Sequence, residues 1–126
     1  SKSPFLISKV KEDTDKIKIS LNNAGYYFAE VNSKISDNKN ETVDLIFEID
    51  GIGTFSINTP LRPIDSPVVS FTPADPAWHL DTYRLYWSRS QSNPMQDEYL
   101  TKCVVDASRR TFYLYSDEGD TREGAQ

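Results

Sequence analysis

The chain has 126 residues, 37% of them hydrophobic and 26% charged, with a formal net charge of -5. Its mean hydropathy is -0.57 and its pI about 4.8. This length supports one cooperative core rather than two independent ones. A nucleic-acid footprint needs clustered Lys and Arg, so the acidic balance excludes that partner class. The sequence contains no apolar run near the roughly 20 residues that span a bilayer, and no membrane insertion is expected. One Cys and one His cannot supply an internal disulfide or a zinc site of usual ligand count, and no metal or other cofactor is expected. The chain opens Ser-Lys-Ser with no charged-then-apolar leader, so a targeting peptide is expected to be absent or removed.

Leu6, Val10, Ile17, Leu21 and Ala24 recur on one helical face, with Thr14 filling the gap. Ser3-Pro4 fits an N-cap and first helical position, and Gly25 a left-handed stop, which predicts a helix over 4–24. Lys11/Asp15 and Glu12/Lys16 at i,i+4 suit its solvated face.

After Gly25 the period changes to two. Tyr27, Ala29, Val31 and Ile35 alternate with Phe28, Glu30, Asn32 and Lys34, then a polar turn over 37–41 precedes a second alternation, Val43, Leu45, Phe47 and Ile49. A helix packed on a hairpin follows.

The stretch Leu21-Asn-Asn-Ala-Gly-Tyr-Tyr-Phe-Ala-Glu-Val-Asn32, with Thr42-Val-Asp-Leu-Ile-Phe-Glu-Ile-Asp-Gly51, resembles the second helix and last two strands of a POTRA domain from a BamA-type (Omp85) outer-membrane assembly protein. The resemblance implies a periplasmic module of order β-α-α-β-β that binds polypeptides or neighbouring modules through an exposed sheet edge. It implies no catalytic residues. A complete module would need a strand and a helix before residue 4, and residues 54–60 leave the family pattern. The face those elements would cover is expected to be covered by residues 54–126 or by another chain.

Beyond Gly51, Phe55 and Ile57 predict a short strand stopped by Pro60, and residues 62–67 a Pro-rich connector. Val68–Phe71 reads as a further strand, 73–76 as a break, and 77–80 is ambiguous between elements. Tyr83, Leu85 and Trp87 alternate with Arg84 and Tyr86 in an aromatic strand over 81–88, followed by a loop over 91–95. Residues 99–105 and 111–115 about a polar turn predict a hairpin. The expected fold is α+β, one helix on a mainly antiparallel sheet in a single domain. Residues 1–52 form the POTRA-like segment, 53–115 complete the same domain, and 116–126 are an acidic tail expected to fray.

A composition seam crosses residues 51–60. Seven of eight Lys precede position 50, whereas all six Arg and six of seven Pro lie from Pro60 onward. Two readings fit it: chance in a short chain or a helical half beside a β-rich half, against a chimeric chain, engineered or recombined, joining segments of different ancestry with no evolved activity.

Candidate chemistry is sparse. His79, between Asp75 and Asp81, is the one acid/base candidate for a small enzyme, and a lone His in a Pro-rich loop is more often structural. Cys103 reads as a small buried residue rather than a nucleophile. The carboxylate pairs Asp13/Asp15, Asp97/Glu98 and Asp117/Glu118 read as solvated surface. Alternation sets Phe112 and Leu114 opposite Tyr113 and Tyr115, so the rings cannot all enter one thin core. Tyr83, Tyr86, Trp87, Tyr113 and Tyr115 are the candidate binding face. The expected function is non-catalytic polypeptide binding or scaffolding, with the partner added as a strand or supplied by self-association.

Overall fold

The computed structural model describes residues 4–60, 67–83 and 102–115. Helix α1 spans Pro4–Asn23, and the reading of Ser3 as its N-cap lies outside the described residues. Its C-terminus is a Schellman motif: the Tyr26 N–H donates to Leu21 O at 2.9 Å and the Gly25 N–H to Asn22 O at 3.0 Å. Gly25 has φ +101°, a conformation that a β-carbon penalises, so the stop is encoded by a residue without one.

Strands β1 (Val31–Asp37), β2 (Thr42–Ile49), β3 (Gly53–Pro60) and β4 (Val68–Pro73) form a four-stranded antiparallel meander in chain order. A second sheet holds β5 (His79–Tyr83), β6 (Lys102–Asp106) and β7 (Thr111–Tyr115) in the order β5-β7-β6. In it β5 runs parallel to β7, while β6 and β7 are antiparallel. The chain is therefore α+β, and the stretch left ambiguous by its sequence, 77–80, supplies the start of β5. The Asp106 carboxylate shapes the β6–β7 turn by accepting from the Ser108 hydroxyl at 2.7 Å and the Arg109 N–H at 3.2 Å. Those bonds hold its carboxyl below the usual range, the Ser108 hydroxyl contributing most.

One core joins the two sheets. Val10, Ile17 and Leu21 of α1 are buried with Leu45, Phe47 and Ile49 of β2, Phe55 and Ile57 of β3, and Phe112 and Leu114 of β7. Each such side chain contributes roughly 1.5–3 kcal/mol relative to exposure. Phe47 stacks on Phe55 with ring centroids 5.1 Å apart, and Trp78 bridges Phe112 at 4.8 Å and Tyr26 at 5.4 Å. The Ser20 hydroxyl on α1 donates to the Cys103 carbonyl on β6. Residues on both sides of the composition seam thus share one interior, and β3 continues the sheet that β1 and β2 begin.

The structure corrects three expectations. Asp13 is not surface: it is fully buried, with its carboxylate 3.5 Å from Lys16 Nζ. A buried carboxylate requires such a charge partner, and position 13 lies one turn from both Val10 and Ile17, on the stripe that the helical period buries. Lys9 pairs with Glu12 and Asp13 with Lys16 at i,i+3, and the expected Lys11–Asp15 pair is not formed. The alternation from Tyr27 does not begin a strand there. Tyr27 and Phe28 lie in the turn after α1, 71% and 96% exposed, because the Schellman turn redirects the chain before β1 starts at Val31.

Candidate functional site

The four-stranded sheet ends at β1. Among the described residues no strand pairs with its outer side. The backbone register determines which groups that side presents. At one end of the β1–β2 ladder the Asp50 N–H donates to Glu30 O at 3.1 Å, and at the other the Asn38 N–H donates to Thr42 O at 3.2 Å. Both bonds belong to the register that pairs Val31 with Ile49 and Asp37 with Val43. Antiparallel ladders alternate hydrogen-bonded and non-hydrogen-bonded pairs. Even-numbered residues of β1 therefore bond to β2, and Val31, Ser33, Ile35 and Asp37 direct their N–H and C=O groups outward.

The same residues face α1. Val31 and Ile35 pack partly against the core, while Asn32, Lys34 and Ser36 lie on the solvent face. A groove of about 560 Å³ runs between helix and edge, floored by Ile7, Val10 and Thr14 from α1 and by Ser33 and Ile35 from β1. Ile7 is 50% exposed there. Lys11 and Asp15 stand on the helix wall and Lys34 at the strand rim. The site is thus a row of backbone donors and acceptors that no described strand pairs, beside an apolar trough.

Edges of this kind are commonly guarded by bulges, proline or an outward Lys. β1 is a regular seven-residue register without proline. Its lysine, Lys34, turns back over its own sheet to Glu48, Nζ 3.8 Å from Oε2. Sequence reasoning missed Ile7 and Ile35 as groove residues. The available signal was Ile7, an apolar residue outside the buried stripe, followed by a β strand with polar residues on its other face.

Of the aromatic candidates, Tyr83, Tyr113 and Tyr115 fall within the described residues. Tyr83 and Tyr115 are register partners across β5 and β7, and Tyr113 is half-buried opposite Asp81 and Val104. Tyr115 is only 5% exposed, with Lys102 Nζ 5.7 Å from its ring centre. Its ring is therefore buried rather than an exposed contact. Tyr86 and Trp87 lie outside the described residues. His79 is exposed at the start of β5, where its backbone N–H donates to Arg110 O at 3.0 Å. Cys103 is buried, and burial pushes its thiol up to about 12, as suits a packing residue. A second cleft of about 530 Å³ lies at the end of the helix between Tyr26, Phe28, Trp78 and Arg110. Unlike the groove, it does not adjoin the unpaired side of β1.

A helix packed beside an antiparallel meander with a small second sheet places the chain among the α+β folds. Residues 2–51 match the POTRA family model, described as surface antigen variable number repeat. The matched stretch contains α1, β1 and β2, and so both walls of the groove. Residues 95–123 match a second model, described as a domain of unknown function (DUF7294). No curated protein and no solved structure matches the chain.

Proposed function

We propose that the chain is a non-catalytic polypeptide-binding module that takes an extended segment as a fifth strand along β1. The observation that carries this reading is the outward row of Val31, Ser33, Ile35 and Asp37 beside the apolar groove under α1. Strand addition satisfies those backbone groups, and alternate side chains of the ligand enter the groove between Ile7, Val10 and Ile35. The preferred ligand alternates apolar and polar residues, since one of its faces meets the helix and the other meets water. The POTRA match supports a polypeptide partner. If the likeness extends to BamA-type proteins, that partner is an outer-membrane client or assembly factor and the compartment is the periplasm.

Amide chemical shifts on titration with an alternating apolar-polar peptide test the reading. The largest changes are expected at Val31, Ser33, Ile35 and Asp37, whose N–H groups gain a partner. Changes scattered over the surface, or none, reject it.

A recombined origin is the second reading, supported by the switch from Lys to Arg across residues 51–60. A single natural homologue continuous across Gly51 would eliminate it.

A further inference from the structure

The edge that suits a client is also complementary to itself. We propose that β1 pairs antiparallel with β1 of a second copy of this chain, covering the binding edge until a client displaces it. This rests on the reading of β1 as the binding edge.

Only odd-numbered residues carry outward backbone groups, so a two-fold pairing can centre on Ser33, Lys34 or Ile35 while keeping most of the strand in register. Centring on Lys34 sets Lys34 opposite the second copy's Lys34 and Val31 opposite the second copy's Asp37, a like-charge pair and two apolar-to-acid mismatches. Centring on Ile35 gives one apolar pair and sets Ser33 opposite the second copy's Asp37. Centring on Ser33 sets Val31 opposite the second copy's Ile35 and Ile35 opposite its Val31, two apolar pairs on the helix-facing side. On the solvent side it sets Lys34 opposite the second copy's Asn32 and brings the second copy's Glu30 and Lys34 diagonal to it. The Ser33 register alone combines two apolar pairs with no directly opposed like charges.

The helix wall agrees. A two-fold axis makes the two α1 helices antiparallel, and Lys11 and Asp15 stand one turn apart beside the groove. An axis passing between them presents Lys11 to the second copy's Asp15 and Asp15 to its Lys11. Such rim charges set register and orientation more than affinity. Lys34, already drawn to Glu48, does not stand in the way of the incoming strand.

Ser33→Cys, Lys34→Cys and Ile35→Cys, oxidised separately in the full chain, read the register directly. Hydrogen-bonded antiparallel partners have Cα atoms about 5.5 Å apart, within disulfide range. Ser33→Cys is expected to give the dominant covalent dimer. Unmodified chain, whose Cys103 is buried, is expected to give none while sedimenting as a concentration-dependent dimer. An alternating client peptide is expected to suppress the Ser33→Cys cross-link. Dominant cross-linking of Lys34→Cys or Ile35→Cys overturns the register, and a chain that stays monomeric at every attainable concentration overturns self-pairing. If that monomer still shows peptide-induced shifts at the odd-numbered amides, only self-pairing fails. If it shows none, the edge-binding reading fails with it.

Discussion

Proline scanning of β1 separates the outward backbone groups from those that hold the sheet. In Ser33→Pro the lost N–H is one that faces away from β2, and the preceding residue, Asn32, already has the extended conformation that proline imposes on it. The ladder keeps all its bonds, so the cost is at most about 1 kcal/mol, from drawing φ toward the proline value. In Lys34→Pro the lost N–H is one that pairs with Ile46. That change removes a net bond of about 0.5–1.5 kcal/mol and strands its acceptor at about 1–3 kcal/mol, together about 1.5–4.5 kcal/mol. At a slope of about 2 kcal/mol per molar urea, the two variants should differ in unfolding midpoint by about 1 M. Ser33→Pro should nonetheless lose peptide binding, because it removes a donor in the middle of the edge. Equal destabilisation by the two prolines, or a Ser33→Pro variant that binds peptide normally, would refute the assignment of odd-numbered residues to the free edge.

Three further outcomes test the packing. In Gly53→Ala the new β-carbon would lie 2.7 Å from two ring atoms of Phe71 and 2.9 Å from the Thr72 carbonyl. Overpacking of this kind should cost about 1–3 kcal/mol in chemical denaturation, whereas a neutral substitution would show that β4 yields. Phe112→Ala should cost about 3–5 kcal/mol, since its fully buried ring packs on Trp78 and Phe71; a loss below 1 kcal/mol would mean the second sheet is not part of the core. For Cys103 the folded-state value of about 12 exceeds the ordinary 9.0. The unfolded thiol therefore ionises first, and its contribution to stability, constant below pH 9, should fall between pH 9 and 12 by about 1.4 kcal/mol per unit. Cys103→Ala should remove that part of the alkaline decline, and an unchanged profile would assign it to other groups.

Much of the local structure was legible in the residues. The 3.6-residue stripe through Val10, Ile17 and Leu21 and the stop at Gly25 delimit α1, since a helix end needs a left-handed residue where its last carbonyls are satisfied. The alternation Val43, Leu45, Phe47, Ile49 defines β2, because only a half-buried strand has period two. Both are short-range physics. The aromatic face was a different matter. Alternation correctly separated Tyr113 from Phe112 and Leu114, yet it could not reveal that Tyr115 is buried, because that depends on what covers the second face of its sheet.

The open edge was implied by a resemblance and located only by the fold. The residues of β1 show an extended segment; they do not show that it ends the sheet, which follows from β2 pairing with β1 on one side and β3 on the other. Nor could sequence decide which half of β1's backbone faces outward, since parity is set by the Glu30–Asp50 and Asn38–Thr42 bonds at the two ends of the ladder. Asp13 differs: its place on the buried face follows from helical period, and its charge partner, Lys16, stands one turn away on the same helix. What the sequence determined by itself is the set of elements and their apolar faces, because those follow from local periodicity and turn chemistry. What only the tertiary structure decided is which strand lies at the edge and which of its backbone groups stay unpaired, because that depends on the pairing of strands that no local pattern specifies.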